Sequence, residues 1–480
     1  MEDIWINGME DLYKKLMAYG ETDAYPFHMP GHKRKNMGDM NPYQIDITEI
    51  DGFDNMNDPN EIIWDLMERL GKLYGRKYAY LLVNGSTAGN LSSVFATTSQ
   101  GDSVLVARDS HKSVYNATFL RQLHVDYLYP NMEGRPYAGP VKPEDVEAAL
   151  ERNPEIKAVV ITSPSYEGIV SPVDEIARVC HRYHAALIVD AAHGAHFGMH
   201  PELPGVPEEA DLIVMSLHKT LPSFTSTGAV LWKEDGLVKR EQLEEYLHIF
   251  QTSSPSYILM AGISRCVSFL ETEGREYFQK YVDNMKEFYN ACGNLKHLEL
   301  LQEAGQDLSK VVIYAKPGST LDGKQLTGEM IMEFLRKEHH LELEMAQFNY
   351  ALAMTSIMDE AEDLKRLEQA LKDLDARCQE MSTEYVSLKD LDALVSHIMT
   401  PKEKVMEIYE ARALPSEEVA LFDAENRVSS AMISLYPPGI PVVIPGERID
   451  RETIAYLEDA MKMGLTVNGL GNHGKNLKVC

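Results

Sequence analysis

Short apolar segments that alternate with helical stretches dominate residues 79–232, and this pattern constrains the fold more than any other feature. Ahead of the first segment, Asp58, Pro59 and Glu61 predict a helix start, with Asp58 as the N-cap acceptor, a first-turn proline and a capping-box glutamate. Strands that alternate with helices predict an α/β fold with a mostly parallel sheet and helices on both of its faces. Such sheets bind ligands at the carboxyl ends of their strands. The predicted strands are 79–83, 103–107, 125–129, 158–162, 186–190, 211–215 and 228–232.

The apolar pattern changes after residue 255. Residues 257–293 predict one or two long helices, and residues 310–315 predict a strand of a smaller α/β unit. A chain of 480 residues is too long for one simple domain. We therefore expect an N-terminal arm (1–40), a large domain (41–256), linking helices with a small α/β domain (257–372) and a C-terminal domain (373–480).

The charge composition restricts the partners of the chain. Lysine and arginine number 46 and aspartate and glutamate 74, which gives a net charge of −28. A surface this acidic repels nucleic acid and anionic membranes and favours cationic small molecules, although solubility alone is the more ordinary explanation. The five cysteines are scattered without CxxC spacing, so no disulfide framework is indicated. The chain shows neither a secretory signal nor a membrane helix, and we expect it in the cytoplasm.

A glycine turn with two hydroxyl residues follows the strand that ends at Val83. Gly85, Ser86 and Thr87 would begin a helix whose free N–H groups and hydroxyls form a cradle for a phosphate. Serine and threonine also cap ordinary helices. Taken alone, this motif therefore favours an ordinary capped helix.

A lysine follows the predicted strand 211–215, in the segment SLHKT. At this strand tip, beside Ser216 and His218, the amine of Lys219 could reach the aldehyde of a cofactor. Burial near other cations would lower its pKa and favour an imine. An isolated lysine is more often a surface residue, so this signal gains weight only in combination with others.

Two further strand tips carry Asp190 and His111. A carboxylate can hold the proton of a pyridine nitrogen, and an imidazole can stack on a flat ring. Either residue can instead cap a loop or a helix. His193 and His196 follow Asp190, but their spacing matches no strong zinc motif, and we expect no metal site.

All of these residues lie at the carboxyl ends of predicted strands, so they converge on one crevice. With them, the sequence resembles the bacterial ornithine/lysine/arginine decarboxylases, which are pyridoxal-phosphate (PLP) enzymes of the aspartate aminotransferase fold (fold type I). The resemblance is to the short form of this family, without its N-terminal wing domain. It covers nearly the whole chain in order, through PFHMPGHKRK, DITEIDGFDNMNDP, LLVNGSTAGN, DSHKSVYNA, SPSYEGIV, VDAAHGAHF, SLHKTL and YPPGIPVVIPGE.

The resemblance implies a role for each predicted site residue. Lys219 would bind PLP as an imine, Asp190 would pair with the ring nitrogen and His111 would stack on the ring. His193 would lie close to the ring and the substrate, and Lys219 or His193 would return a proton to Cα. The phosphate would be held by Gly85, Ser86, Thr87, Ser216 and His218.

Two positions depart from the family pattern. Ala191 stands where the family usually has a glutamate, and Asp109 where it usually has an asparagine. The lost glutamate leaves the substrate open. A cationic substrate tail needs a carboxylate partner, and the candidates are Glu49, Asp51, Asp54 and Glu447, each of which is equally well explained as a solvated loop acid.

The sequence thus predicts a PLP-dependent decarboxylase of a basic amino acid, with arginine ahead of lysine and ornithine, and a place in polyamine biosynthesis. The alternatives are a PLP-dependent aminotransferase or lyase on the same fold, and a PLP-binding protein without turnover. No arginine clearly fills the carboxylate-binding role that aminotransferases of this fold require, which favours decarboxylation.

The same resemblance implies a homodimer, or a tetramer of dimers, with the active site at the subunit interface. An open crevice would admit water to the reaction. The segments PFHMPGHKRK (26–35) and QTSSPSY (251–257) are expected to cover it from the partner subunit. Local packing within one subunit is the alternative for both.

Overall fold

A computed structural model of the chain describes residues 21–35, 41–132, 135–380, 400–436, 441–462, 465–471 and 476–480. Its largest element is a seven-stranded sheet. Most neighbouring strands pair in parallel, and Gly228–Trp232 runs antiparallel to both of its neighbours. The predicted mostly parallel sheet is therefore confirmed. The strands in spatial order are Ala79–Leu82, Gly228–Trp232, Leu212–Met215, Ala186–Asp190, Ile156–Thr162, Ser103–Ala107 and His124–Leu128.

The sheet is the core of the molecule. Every residue of Ala186–Asp190 and Leu212–Met215 is buried, as expected for parallel strands that are covered on both sides. Burying one large aliphatic side chain contributes about 1.5–3 kcal/mol, so these strands are rigid supports for the residues at their tips. The helices connected to the sheet are Ile62–Leu73, Gly85–Thr97, Lys112–Arg121, Pro143–Arg152, Val173–Arg182, Leu217–Thr220, Arg240–Phe250 and Tyr257–Thr272.

The first of these helices begins later than the sequence indicates. Asp58 and Pro59 predict a start near residue 58, but the helix begins at Ile62. The carboxylate of Asp54 accepts hydrogen bonds from the backbone N–H groups of Glu61 and Ile63, at 2.9 and 3.0 Å. Asp54 therefore supplies the side-chain acceptor that the prediction assigned to Asp58.

A smaller unit follows the large sheet. The segment predicted as one or two long helices forms two, the second being Gly274–Ala291. The predicted strand at 310–315 is present as Lys310–Ala315, in a four-stranded sheet. This sheet contains Met345–Ala346, Tyr350–Met354, Lys310–Ala315 and Leu298–Leu301, and its helices are Gly328–His339 and Ala361–Arg377.

The C-terminal segment has a separate small core, in which Phe348 packs against residues between Leu421 and Val479. The boundaries drawn from the sequence at 40, 256 and 372 stay predictions. The elements of this segment are the helices Ile408–Ala413, Leu421–Ala424 (3-10) and Arg451–Lys462, and the strands Glu417–Ala420, Ile433–Tyr436, Pro441–Val443, Thr466–Asn468 and Asn476–Val479.

Short elements join these parts. Tyr25–Phe27 pairs in parallel with Leu341–Leu343, so the N-terminal segment is attached to the smaller unit. The remaining elements are the helix Pro42–Ile45 and the strands Ser319–Leu321, Lys324–Gln325 and Gln379–Glu380. Among the described residues, no helix combines the length and the apolar character needed to cross a membrane.

Candidate active site

A cavity of about 340 Å³ lies where the predicted strand tips meet. The strands end there because glycine, hydroxyl and charged residues follow their apolar runs. All of the residues predicted for cofactor binding and catalysis line this cavity. They are Gly85, Ser86, Thr87, His111, Asp190, His193, Ser216, His218 and Lys219.

Lys219 lies on the short helix Leu217–Thr220, directly after a buried strand. Its Nζ is 2.9 Å from Nε2 of His193 and 5.8 Å from the ring centre of Tyr166. Burial lowers the pKa of Lys219, and the nearby Lys310 lowers it further, while Asp190 opposes the shift. A larger share of the amine is thus neutral and nucleophilic than in water.

His193 is buried and faces Lys219. Burial holds the pKa of His193 well below its usual range, and the charges of Lys219 and Lys310 act in the same direction. The imidazole is therefore neutral at neutral pH, and its Nε2 can accept a hydrogen bond from the Lys219 ammonium. The ring of Tyr166 packs against His193 with 4.3 Å between the ring centres.

A cluster of charged residues supports His193 from behind. Lys310 Nζ donates to the His193 carbonyl oxygen at 3.4 Å and to the Asp307 carboxylate at 2.9 Å. The other carboxylate oxygen of Asp307 is 2.8 Å from Nε2 of His196. His193 and His196 thus have different partners, Lys219 and Asp307, and do not face a common point.

Asp190 is fixed by two donors. Its Oδ2 accepts from the side-chain amide of Asn90 at 2.7 Å, and its Oδ1 accepts from the backbone N–H of Ala192 at 3.1 Å. The same amide of Asn90 donates to Ser113 Oγ at 2.9 Å, and that hydroxyl lies 2.8 Å from His111 Nδ1. One hydrogen-bond chain therefore positions both Asp190 and His111. Asn90 lies in the segment NGSTAGN but was not among the residues predicted for the site.

The helix start that the sequence predicts as a phosphate cradle lies at the cavity. Gly85 takes a positive φ of 72°, and the helix Gly85–Thr97 begins there without a side-chain cap from Asn84. The Gly85 N–H donates to the Ser226 carbonyl oxygen at 2.8 Å. The N–H groups that follow it and the positive end of the helix dipole lie at the cavity, where they would favour an anion. Ser216 Oγ, buried at the same cavity, has no hydrogen-bond partner among the described residues. A phosphate would satisfy both features, so the residues present fit PLP.

His218 is less available than the sequence suggested. Its Nδ1 donates to the carbonyl oxygen of Thr227 at 2.8 Å. Only its second ring nitrogen remains for a ligand. The ring still lines the cavity.

Tyr166, Glu167 and Tyr350 also line the cavity and were not singled out from the sequence. Tyr350 donates from its hydroxyl to Glu167 Oε1 at 2.7 Å. Tyr166 and Glu167 belong to the segment SPSYEGIV, which therefore carried the missing signal. Tyr350 comes from the smaller unit, 183 residues away in the chain, and no local pattern marks it.

Of the two residues that depart from the family pattern, Asp109 lines the cavity and Ala191 does not. Asp109 is buried at the cavity, and burial, with the charges of Glu167 and Asp190, raises the pKa of Asp109 to about 7. Ala191 is buried, and its N–H donates to the Val214 carbonyl oxygen at 2.8 Å. Ala191 does not belong to the cavity lining.

The four predicted tail-binding carboxylates lie outside the cavity lining. Glu49 and Asp51 are exposed, and Asp54 serves the helix start described above. Glu447 is fully buried and forms an ion pair with Arg108 at 3.1 Å. Arg108 also donates to the Pro441 carbonyl oxygen at 2.6 Å, so this pair fastens the C-terminal segment to the large sheet.

The segment PFHMPGHKRK packs on its own chain. Gly31 N–H donates to the carbonyl oxygen of His218 at 2.8 Å, and Ser356 Oγ donates to the Gly31 carbonyl oxygen at 2.6 Å. The segment supports the turn that carries Lys219 in the same chain. Whether it also covers the cavity of a partner subunit stays a prediction.

Comparisons with known proteins identify relatives over most of the chain. The model of the "Orn/Lys/Arg decarboxylase, major domain" family matches residues 10–320, and that of the "Orn/Lys/Arg decarboxylase, C-terminal domain" family matches residues 375–474. The arginine decarboxylase of Bacillus subtilis is 27% identical over 479 residues, with 95% of each chain covered. The arginine decarboxylase of Bacillus anthracis is 26% identical, with 95% of this chain and 94% of the relative covered.

The solved structure of the constitutive lysine decarboxylase of Escherichia coli is similar in fold. Its TM-score is 0.78 at 18% identity, and the match covers 97% of this chain and 81% of that one. At this identity the likeness shows the fold. It confirms the fold class predicted from the sequence.

Proposed function

Because this chain belongs to the Orn/Lys/Arg decarboxylase family and is therefore a PLP-dependent decarboxylase, we propose that its substrate is arginine, ahead of lysine and ornithine. The observation that carries this choice is the match to arginine decarboxylases over 95% of the chain. Lysine is the second candidate, because the similar solved structure is a lysine decarboxylase. The family match leaves no support for the aminotransferase or for a binding protein without turnover.

The cavity residues would hold PLP in a defined orientation. The amine of Lys219 would bind the PLP aldehyde, and the carboxylate of Asp190 would pair with the ring nitrogen. The imidazole of His111 would stack on the face of the PLP ring. The N terminus of the helix Gly85–Thr97, with Ser86, Thr87 and Ser216, supplies the phosphate site. When bound, PLP provides the electron sink for the pair left by the departing carboxyl group.

The protein side of the chemistry follows from the contacts of these residues. Asn90 and the Ala192 N–H hold Asp190 in place, so its charge can keep the ring nitrogen protonated. Lys219 and the neutral His193 lie 2.9 Å apart. A proton shared between them can be passed to Cα after carbon dioxide has left.

Product analysis tests this proposal. The purified protein with added PLP is incubated separately with L-arginine, L-lysine and L-ornithine, and carbon dioxide and the amine are quantified. L-norleucine, which has a chain of similar length without the cation, is the control. We expect carbon dioxide from arginine with a kcat/KM at least about tenfold above that for lysine. Faster release from lysine would overturn the choice of arginine, and no release from any basic amino acid would overturn the function.

We also propose a homodimer, or a tetramer of dimers, in which a second copy covers the cavity mouth. Phe224 is 36% exposed and precedes Thr225 and Ser226, which line the cavity. Ile50 and Phe53 are 50% and 48% exposed. A second copy that covers Phe224, Ile50 and Phe53 would bury apolar surface, and beside Phe224 it would exclude water from the cavity.

Sedimentation equilibrium at micromolar concentration tests the assembly. A mass of at least twice 54.1 kDa is expected. A fully active monomer would contradict the proposal. Phe53→Asp, on the proposed contact surface, is expected to weaken association and lower activity together, whereas Phe422→Asp, at a residue 79% exposed in the C-terminal segment, is the matched control.

We further propose a cytoplasmic location. All five cysteines are free, and Cys180, Cys266, Cys292 and Cys378 are buried. Free thiols of this kind persist in a reducing compartment. Cell fractionation with an antibody against the chain would test the location, and recovery in a secreted fraction would contradict it.

A further inference from the structure

Buried carboxyl groups fall into two classes in the described part of the chain. One class has a cationic or imidazole partner within 4 Å, and the other has no ion pair. The first class comprises Asp211, Asp307, Asp359, Glu407 and Glu447. The second comprises Asp109, Glu167 and Asp190, and all three line the cavity.

A buried carboxyl group without a cation is costly to keep ionised, so it points to a ligand that brings the charge. Asp190 already has an assigned partner in the ring nitrogen of PLP. Two carboxyl groups then remain, Asp109 and Glu167. A PLP enzyme that takes a basic amino acid must accommodate one further cation, the tail of its substrate.

Glu167 has the better surroundings for that tail. It is 6% exposed, and its two oxygens accept one hydrogen bond each, from Tyr350 OH at 2.7 Å and from Ser165 Oγ at 3.1 Å. Both donors are neutral hydroxyls, so the negative charge stays uncompensated. Burial raises the pKa of Glu167, which a bound cation would reverse.

Aromatic and apolar side chains complete this wall of the cavity. The rings of Tyr137 and Tyr350 are edge to face with 6.0 Å between their centres, and Met132 and Leu435 lie on the same lining. Aromatic rings attract a cation, and apolar side chains cover a methylene chain. Tyr166, next to Glu167 in the chain, contacts His193 beside Lys219, so Glu167 lies in a segment that also reaches the surroundings of Lys219.

Asp109 is the less suitable partner. It feels the charges of both Glu167 and Asp190, and it lies two residues before His111, near the predicted ring position. We propose that Glu167 is the specificity-determining residue that binds the cationic tail of the substrate, with Tyr350 holding its carboxylate. This inference rests on the proposed function, since it needs a basic amino acid as substrate.

Glu167→Gln in the holoenzyme tests the inference, because glutamine keeps the shape and an acceptor oxygen for Tyr350 while removing the charge. The KM of the best basic amino acid should rise at least about tenfold. The inhibition constant of norleucine, which lacks the cation, should stay within about twofold. The absorbance of bound PLP should not change. An unchanged KM, or an equal loss for norleucine, would overturn the inference.

Asp109→Asn is the matched control, since it removes the other carboxyl group without an ion pair. The ratio of the KM of the best basic amino acid to the inhibition constant of norleucine should stay as in the wild type. A selective loss of affinity for basic amino acids in Asp109→Asn would overturn the choice of Glu167. If Glu167→Gln does not fold, Glu167→Asp replaces it. The shorter aspartate side chain should raise the ratio of kcat/KM for arginine to kcat/KM for ornithine, because the longer arginine tail still reaches its carboxylate. An unchanged ratio would overturn the inference.

The same experiment distinguishes failure of the proposed function from failure of the inference about Glu167. A wild type that releases no carbon dioxide from any basic amino acid removes the proposed function and the inference with it. An active wild type whose KM is unaffected by Glu167→Gln removes the inference alone.

Discussion

Two groups of charged residues meet at His193, and they differ in how their charges are balanced. Behind the histidine, Lys310 and His196 both contact Asp307, and all three side chains are buried. On the cavity side, Asp190, Asp109 and Glu167 share the lining with Lys219, which is the one lysine among the described lining residues.

We infer from this difference that the charges behind His193 have a structural role and that the carboxyl groups facing the cavity bind ligands. Charges that are matched inside the chain stabilise the fold and hold His193 in place. Charges left without an ion pair around a cavity are matched only when a ligand arrives. The substitutions below test this separation.

Replacing Lys219 should have the largest effect. Lys219→Ala removes the amine that would bind the cofactor aldehyde, and turnover should fall on the order of 10⁴-fold with little change in thermal stability. Lys112→Ala, at an exposed lysine beside His111, is the matched control and should remain active. Activity near that of the wild type in Lys219→Ala would place the reacting amine elsewhere.

Asp190→Asn should reduce turnover on the order of 10²- to 10³-fold, because the ring nitrogen would lose its charge partner. The hydrogen bond from Asn90 can be retained by a rotated amide, so the fold should persist. PLP binding, measured by absorbance, should remain. A kcat near the wild-type value would rule out the electron-sink role.

Asp307→Asn should act on stability. Removing the charge leaves Lys310 buried and uncompensated, which costs about 3 kcal/mol, measured as the free energy of unfolding in urea. Catalysis by the folded fraction should be less affected than in Asp190→Asn. An unchanged free energy of unfolding would contradict the structural role.

The pH dependence of this effect follows from the pKa of Asp307. Burial alone would raise it, but His196 and Lys310 outweigh burial and hold the pKa of Asp307 well below its usual range. A lowered folded-state pKa stabilises the fold above the unfolded pKa of about 3.9, and this stability is lost as the pH falls below that value. The stability difference between wild type and Asp307→Asn should therefore shrink as the pH falls below about 4.

An exposed ion pair should have the smallest effect. Lys337 and Glu333 form such a pair one turn apart on the helix Gly328–His339. Lys337→Ala should shift the unfolding midpoint by less than about 1 °C, because solvent screens exposed pairs. A shift as large as that of Asp307→Asn would remove the contrast between buried and exposed charges.

The sequence predicted the strand tips well, because each depends on a local pattern. The strands Ala186–Asp190 and Lys310–Ala315 have the predicted bounds, and the helix Gly85–Thr97 begins at the predicted glycine turn. Parallel strands bring their carboxyl ends to one edge of the sheet. The sequence therefore also predicted that the residues at these strand ends meet at one cavity.

Contacts between distant segments could not be predicted in the same way. Asn90 and Asp190 are 100 residues apart, and Glu167 and Tyr350 are 183 apart. Glu447 looked like a free loop acid, yet it pairs with Arg108 across 339 residues. Such partners depend on how the smaller unit and the C-terminal segment pack on the sheet, which no local pattern specifies.

Identifying the residue that binds PLP tests the proposed active site most directly. The holoenzyme is reduced with borohydride, digested and mapped by mass spectrometry. We expect a pyridoxyl group on Lys219 in the segment SLHKT. A label on any other lysine, or no label in a protein that binds PLP, would contradict it.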